Sequence, residues 1–162
     1  MGNVPGRGRG GNIQGKLASA KRICFDSNAL IYHLNETKPY AEIVAELLNA
    51  VERGATDGII SVITELEVLV RPLREGTQWD VEQAQAVLEA PGMHVIEMDR
   101  GIARRAAEVR AASGVDLADA VIVATALSTG CDAIVGNDER CAQRVREVPY
   151  VLLDDLVKEQ QP

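Results

Sequence analysis

Five carboxylates follow or interrupt apolar runs in this sequence: Asp26, Glu65, Glu67, Asp119 and Asp138. Asp26 ends Ile23-Cys24-Phe25, and Glu65 and Glu67 follow Ile59-Ile60-Ser61-Val62. Asp138 comes after Ala133-Ile134-Val135 and Gly136-Asn137, while Asp119 is embedded in Leu117-Ala118-Asp119-Ala120-Val121-Ile122. An acid between core-facing segments usually has a partner. Several acids brought together disfavour one another's ionisation, and a hard divalent cation with oxygen ligands relieves that cost. Each residue alone also reads as a helix cap or solvated group; Asp119, close to a helix start, suits the helix dipole with no metal at all. The chemistry therefore depends on whether the fold gathers them.

The elements that would gather them alternate along the chain. Ile23-Cys24-Phe25 predicts a strand ending on Asp26. Between Tyr40 and Arg53, Ile43, Val44, Leu47, Leu48 and Val51 form one helical stripe, stopped by Gly54. Gly58 to Val62 predicts a second strand, leading into a helix around Thr64 to Val70 that must yield at Pro72. Asp80 to Ala90 reads as helix and Met93 to Met98 as a third strand, after which Asp99 caps a helix to about Ser113. Asp116 to Thr129 predicts another helix, closed by Gly130; Asp132 to Val135 and Tyr150 to Leu153 supply the last two strands. Strands separated by helices imply an α/β fold, a three-layer sandwich with a mostly parallel sheet of about five strands flanked by helices. In such sheets sites form outside the carboxyl ends of the strands, where four of the five acids stand.

Charge and composition narrow the functions. The chain has 162 residues, 46% hydrophobic and 25% charged, as in one ordinary globular domain. Residues 1–22 carry five basic side chains and no acid, whereas the rest holds the other twelve against all 24 acids. So acidic a body repels phosphate by its overall field, and a bound cation would reverse the sign locally. Residues 1–20, glycine-rich and basic, are expected to be a disordered leader, and residues 21–158 the folded domain. No apolar run reaches the ~18–20 residues of a membrane span, and three cysteines without ligand spacing suggest reduced thiols and a cytoplasmic location. Cys24 reads as core packing, and His33 and His94 as structural. There is no Walker lysine loop or dinucleotide glycine fingerprint, and 3% aromatic content argues against a base-stacking platform.

Four segments resemble the motifs of the PIN domain family, in order. They are Phe25-Asp26-Ser27-Asn28-Ala29-Leu30-Ile31; Ser61-Val62-Ile63-Thr64-Glu65-Leu66-Glu67, a Ser-x-x-Thr-x-x-Glu pattern that selects Glu67 over Glu65; Leu117 to Ala126, an Asp-Ala opening an apolar helix; and Gly136-Asn137-Asp138. The resemblance runs from about Ile23 to Leu156. It implies that Asp26, Glu67, Asp119 and Asp138 are catalytic and hold Mg²⁺ or Mn²⁺, and that the substrate is RNA, cleaved at its phosphodiesters. It also implies similarity to the toxin of a VapC-type toxin–antitoxin pair, with a small antitoxin partner and a homodimer. Asn28 or Asn137 could orient a water or phosphate or make structural hydrogen bonds, and Arg71, Arg74 or Arg140 could grip RNA at the rim. The chain departs from the pattern at Gly136, where the family usually has Thr or Ser, and the missing hydroxyl favours the alternative of a catalytically weak interaction module. Two other acidic-pocket classes fail on residues: a phosphatase of the Asp-x-Asp type needs an acid at Asn28, and a receiver needs a lysine where the chain reads Leu153-Asp154-Asp155.

Overall fold

The computed structural model describes residues 17–160. Five parallel strands, β1 (Arg22–Phe25), β2 (Asp57–Ser61), β3 (Met93–Ile96), β4 (Ala133–Gly136) and β5 (Tyr150–Leu152), form one sheet in the order β3-β2-β1-β4-β5. Eight helices among the described residues connect and cover it: α1 (Ser27–Leu34), α2 (Tyr40–Glu52), α3 (Val62–Glu75), α4 (Gln78–Leu88), α5 (Arg100–Ser113), α6 (Leu117–Ser128), α7 (Glu139–Arg144) and α8 (Leu153–Gln160). The chain works outward from β1 to β3, then returns to β4 on the other side of β1. Because every strand is parallel, all carboxyl ends share one edge, and β1 sits where the winding reverses.

Strand side chains alternate between faces, and the core divides accordingly. Ile23, Phe25, Ala133 and Val135 face a cluster with Leu30 of α1, Ile43, Val44, Leu47 and Val51 of α2, and Leu153 and Leu156 of α8. Cys24 and Ile134 face the other cluster, with Ile102, Ala106 and Val109 of α5 and the buried run Ala120 to Ala124 of α6. This is the expected three-layer sandwich, and Cys24, fully buried, packs in it. No single helix among the described residues is long and apolar enough to cross a membrane.

Several local expectations change for identifiable reasons. Val62 begins α3 instead of ending β2, because Ser61 caps the helix by accepting from the Ile63 N–H at 3.2 Å. The same helix passes Pro72 and runs to Glu75; proline's φ is itself helical, so the helix loses one donor, and the Gly76 N–H closes it onto the Pro72 carbonyl at 3.0 Å. α4 starts at Gln78 because Thr77 and Asp80 form a reciprocal capping box. β3 ends at Ile96, and β5 yields at Leu153 to α8. Residues 1–16 of the expected leader lie outside the described residues. Its last part packs: Leu17 and Ala20 are buried in the α2 and α8 cluster. Burying a leucine contributes about 1.5–3 kcal/mol, so a truncation meant to spare the core must stop before Leu17.

Candidate active site

Asp26 is the first residue after β1 and the N-cap of α1. It is 6% exposed, and both carboxylate oxygens are engaged. Oδ1 accepts the Ser27 N–H at 2.7 Å, and Oδ2 accepts the Tyr150 hydroxyl at 2.5 Å. Burial raises its pKa, the two hydrogen bonds oppose that, and the charges of Asp138 and Glu67 add to the rise. Those two acids are thus close enough to act on Asp26 although they lie 112 and 41 positions along the chain.

Glu67 reaches the site through Ser27. One α-helical turn places Thr64, Glu67 and Val68 on one face of α3, and that face meets α1. The Ser27 hydroxyl donates to Glu67 Oε2, and Ser27 Oγ lies 3.3 Å from Thr64 Oγ1. Ser27 and Thr64 are both buried, so the Glu67 carboxylate is anchored at its inner end. Glu65, two residues earlier and therefore on another face, takes no part in this group.

Asp119 stands in the first turn of α6, the helix that covers the Cys24 face of the sheet. Its pKa is pushed up to about 6, first by desolvation and then by Asp26, Asp138, Asp116 and Glu67. Asp116, the N-cap of α6, makes no side-chain capping bond and adds to the negative field. Asp138 caps α7, its Oδ1 accepting the Cys141 N–H at 2.9 Å. Among the described residues, none of the ion pairs involves Asp26, Glu67, Asp119 or Asp138.

Thus the four acids share one electrostatic neighbourhood at the carboxyl edge of the sheet. Among the described residues, no three His, Cys, Asp or Glu side chains are set close enough to ligate one ion between them. The donors these acids offer are carboxylate oxygens, the kind that hard divalent cations take.

The raised Asp119 pKa has a consequence for the metal-free protein. A carboxyl whose pKa rises on folding stabilises the fold when protonated, so its contribution is complete below about pH 4 and is lost as pH climbs through about 6. Asp119→Asn is neutral at every pH. In EDTA, its stability relative to the parent should therefore rise between pH 4 and pH 7, by an amount that solvent screening of this half-buried group keeps modest. Parallel pH profiles for the two proteins would show that Asp119 stands outside its neighbours' field.

Other sequence candidates take other roles. The Asn28 Oδ1 accepts the Asn137 N–H at 3.0 Å, and the Asn137 Oδ1 accepts the Asp154 N–H at 3.0 Å. Both amides therefore tie α1 to the turn after β4 and that turn to α8. Arg140 donates to the Gly114 carbonyl, and Arg74 pairs with Glu75. Arg71 and His33 line a cleft of about 930 Å³ with Pro72 and Trp79, and none of the four acids borders it. His94 is exposed on β3, 4.0 Å from Asp57. The site residues that sequence reasoning passed over are Thr64 as a hydroxyl partner and, above all, Tyr150.

Tyr150 opens β5 beside Ile134, and the register places Gly136 beside Leu152. On β1 the matching row is Cys24, with Asp26 one step further along the same face. The Tyr150 ring crosses that step: its hydroxyl donates to Asp26 and accepts the Asp138 N–H at 3.2 Å. A Cβ at Gly136 would collide with the Tyr150 hydroxyl oxygen and lie 2.7 Å from the Asp26 Cβ.

A doubly wound parallel sheet with acids gathered at its switch point defines an α/β domain whose chemistry sits at one strand edge. Residues 23–148 match the PIN domain, and the chain belongs to that family. Among solved structures it is similar to a toxin–antitoxin complex from Klebsiella pneumoniae, at 22% identity and a TM-score of 0.61, covering 81% of this chain and 97% of that one. It is also similar to a DNA-bound VapBC from Salmonella typhimurium, at 23% identity and a TM-score of 0.62, over 82% and 98% of the two chains. VapBC2 from Rickettsia felis, bound to a DNA fragment from its promoter, matches at 16% identity and a TM-score of 0.61, over 81% and 98%. At these identities the likeness is one of fold. Among curated proteins, none matches this chain.

Proposed function

We propose that this protein is a Mg²⁺- or Mn²⁺-dependent ribonuclease, the toxin component of a toxin–antitoxin pair acting in the cytoplasm. The observation that carries the reading is the shared field of Asp26, Glu67, Asp119 and Asp138, acids of four separate segments with no basic residue paired to them among the described residues. A PIN domain that folds such residues to one edge, against the desolvation and repulsion that raise Asp119, carries a negative field that a cation would relieve, which supports the reading. In this reading the four carboxylates hold the ion, some through water. When bound, a divalent cation polarises the scissile phosphate and acidifies a water. Ser27 orients Glu67, the Ser27 N–H and Tyr150 orient Asp26, and the acidic body gains a positive point at which RNA phosphate can dock.

The toxin assignment draws on the solved neighbours, which are themselves toxin–antitoxin complexes matched over nearly their whole chains. An antitoxin and a second copy are the protein partners in this reading. Leu66, Val70 and Leu73, spaced along one face of α3, and Trp79 of α4 are exposed, an apolar surface of the kind protein partners cover. The alternative, a catalytically weak interaction module, draws on Gly136. One assay separates them. The purified full-length protein should cleave single-stranded or structured RNA with Mg²⁺ or Mn²⁺, stop with EDTA, and resume when the metal is restored. Equal cleavage in chelator overturns the metal-dependent reading, and no cleavage under any metal favours the interaction module.

A further inference from the structure

β4 ends on Gly136, which puts no side chain at the position next to Asp26 on the sheet face. The space is not empty, because the Tyr150 hydroxyl fills it, and a Cβ on residue 136 would strike that oxygen. We propose that Tyr150 is a positioning residue of the acidic site, its hydroxyl entering from β5 through the gap at Gly136 to hold Asp26 and Asp138 in fixed relation. The proposal deepens the metal-nuclease reading and rests on it for the role of the acids; the geometry stands apart from it.

The phenol oxygen has two partners, and they belong to two strand ends. It donates to Asp26 Oδ2 at 2.5 Å and accepts the Asp138 N–H at 3.2 Å. Asp26 is the N-cap of α1 and Asp138 the N-cap of α7, so one atom sets the spacing of two helix starts and of the carboxylates that begin them. Asp26 and Asp138 repel each other. A bridge that donates to one carboxylate and receives the backbone N–H of the other resists that repulsion without neutralising either charge. Each Asp26 oxygen spends one lone pair on its present donor and keeps another for a cation or its water. A tyrosine hydroxyl ordinarily titrates at about 10, so at neutral pH it keeps its proton and remains a donor.

Gly136 follows from the same arrangement. It gives the phenol its room and lets the Asp26 Cβ approach, since a Cβ there would lie 2.7 Å from that atom and 3.0 Å from Asn28 Oδ1. The missing side chain that pointed to a weakened site is, in the fold, the opening through which another hydroxyl reaches it. Tyr150 and Gly136 therefore act as a pair.

The test uses the full chain and Mn²⁺ as the probe, with binding followed by electron paramagnetic resonance and folding by melts in EDTA. The parent should bind Mn²⁺ and Asp119→Asn should not; a parent that binds none overturns the metal reading and this inference with it. Tyr150→Phe keeps the ring and removes only the oxygen. It should melt near the parent in EDTA yet bind Mn²⁺ about tenfold or more weakly, as loss of a group orienting a metal-holding side chain does. Unchanged Mn²⁺ affinity in a folded Tyr150→Phe, beside a parent that binds, overturns the inference alone. Gly136→Ala takes the phenol's space and also crowds the Asp26 Cβ, so it should weaken Mn²⁺ binding too; a folded Gly136→Ala that binds Mn²⁺ as the parent does overturns the inference if Tyr150→Phe does not fold. In the double variant the Gly136→Ala loss should be clearly smaller than in the parent. Losses that simply multiply would show that the two residues do not share one space.

Discussion

Asp26→Asn is expected to abolish metal-dependent cleavage while leaving the metal-free protein about as stable as the parent. Asparagine keeps an oxygen for the Ser27 N–H, and it remains a good helix N-cap for α1. What it removes is a buried charge that Asp138 and Glu67 oppose. Against that gain stands the Tyr150 hydroxyl, which loses a carboxylate acceptor and must rearrange; an unmet buried donor costs about 1–3 kcal/mol. The two effects are of similar size, so the melting temperatures in EDTA should be close. With Mg²⁺ they should part. A ligand at a hundredfold excess over Kd stabilises the folded state by about 2.7 kcal/mol, and the parent should show that increment where Asp26→Asn shows little. A variant that keeps both the Mg²⁺ increment and cleavage would leave Asp26 as a helix cap and remove it from the site.

The second large effect separates two glutamates two residues apart. Glu67→Gln should eliminate cleavage, and Glu65→Gln should retain most of it. Glutamine at 67 can still accept the Ser27 hydroxyl, so the contact between α1 and α3 survives and only the charge is lost. Glu65 lies on a different face of the same helix and belongs to no part of the hydrogen-bonded group. Circular dichroism and melting would confirm that both variants fold, and initial rates on one RNA would give the comparison. Activity in Glu67→Gln with inactivity in Glu65→Gln would mean that the acidic face of α3 is turned from the one that Ser27 and Thr64 mark.

The residues of the site differ in how far the sequence betrays them. Asp26 is legible because an apolar strand stops on it, and Glu67 through the Ser-x-x-Thr-x-x-Glu pattern that resembles the PIN motif. Asp119 is legible as an acid standing directly before seven buried residues, Ala120 to Ala126, none of them charged. Tyr150 carries no such local sign. It is one aromatic at the start of a three-residue strand, and its role depends on register with β4 and on a partner 124 positions away. Gly136 misleads for the same reason: read locally it is a deleted hydroxyl, read in the sheet it is room for one. The helices follow a parallel rule. α2, with its five-residue stripe, was evident, whereas the six residues of α7 and the amphipathic α8 are too short to impose a period. Pro72 and Val62 mislead a local reading because a cap, or a turn of helix beyond a proline, is decided by single hydrogen bonds.

The strand order sets a timetable for synthesis. β1 emerges first and lies at the centre, but its neighbour β4 begins 111 residues later, at Ala133. The contacts that define the site span comparable or longer stretches of the chain, with Asn28 to Asn137 separated by 109 positions and Asp26 to Tyr150 by 124. Closing such loops must precede the contacts that reward it. A ribosome moving from the amino terminus therefore releases α1 to α6 with Asp26 exposed on an unfinished edge, its future partners not yet made. Only when β5 and α8 have cleared the exit tunnel can the phenol reach across and the acidic edge close. The acidic edge is thus completed only once β5 and α8 are free, so that nascent chains carry its parts before the edge itself.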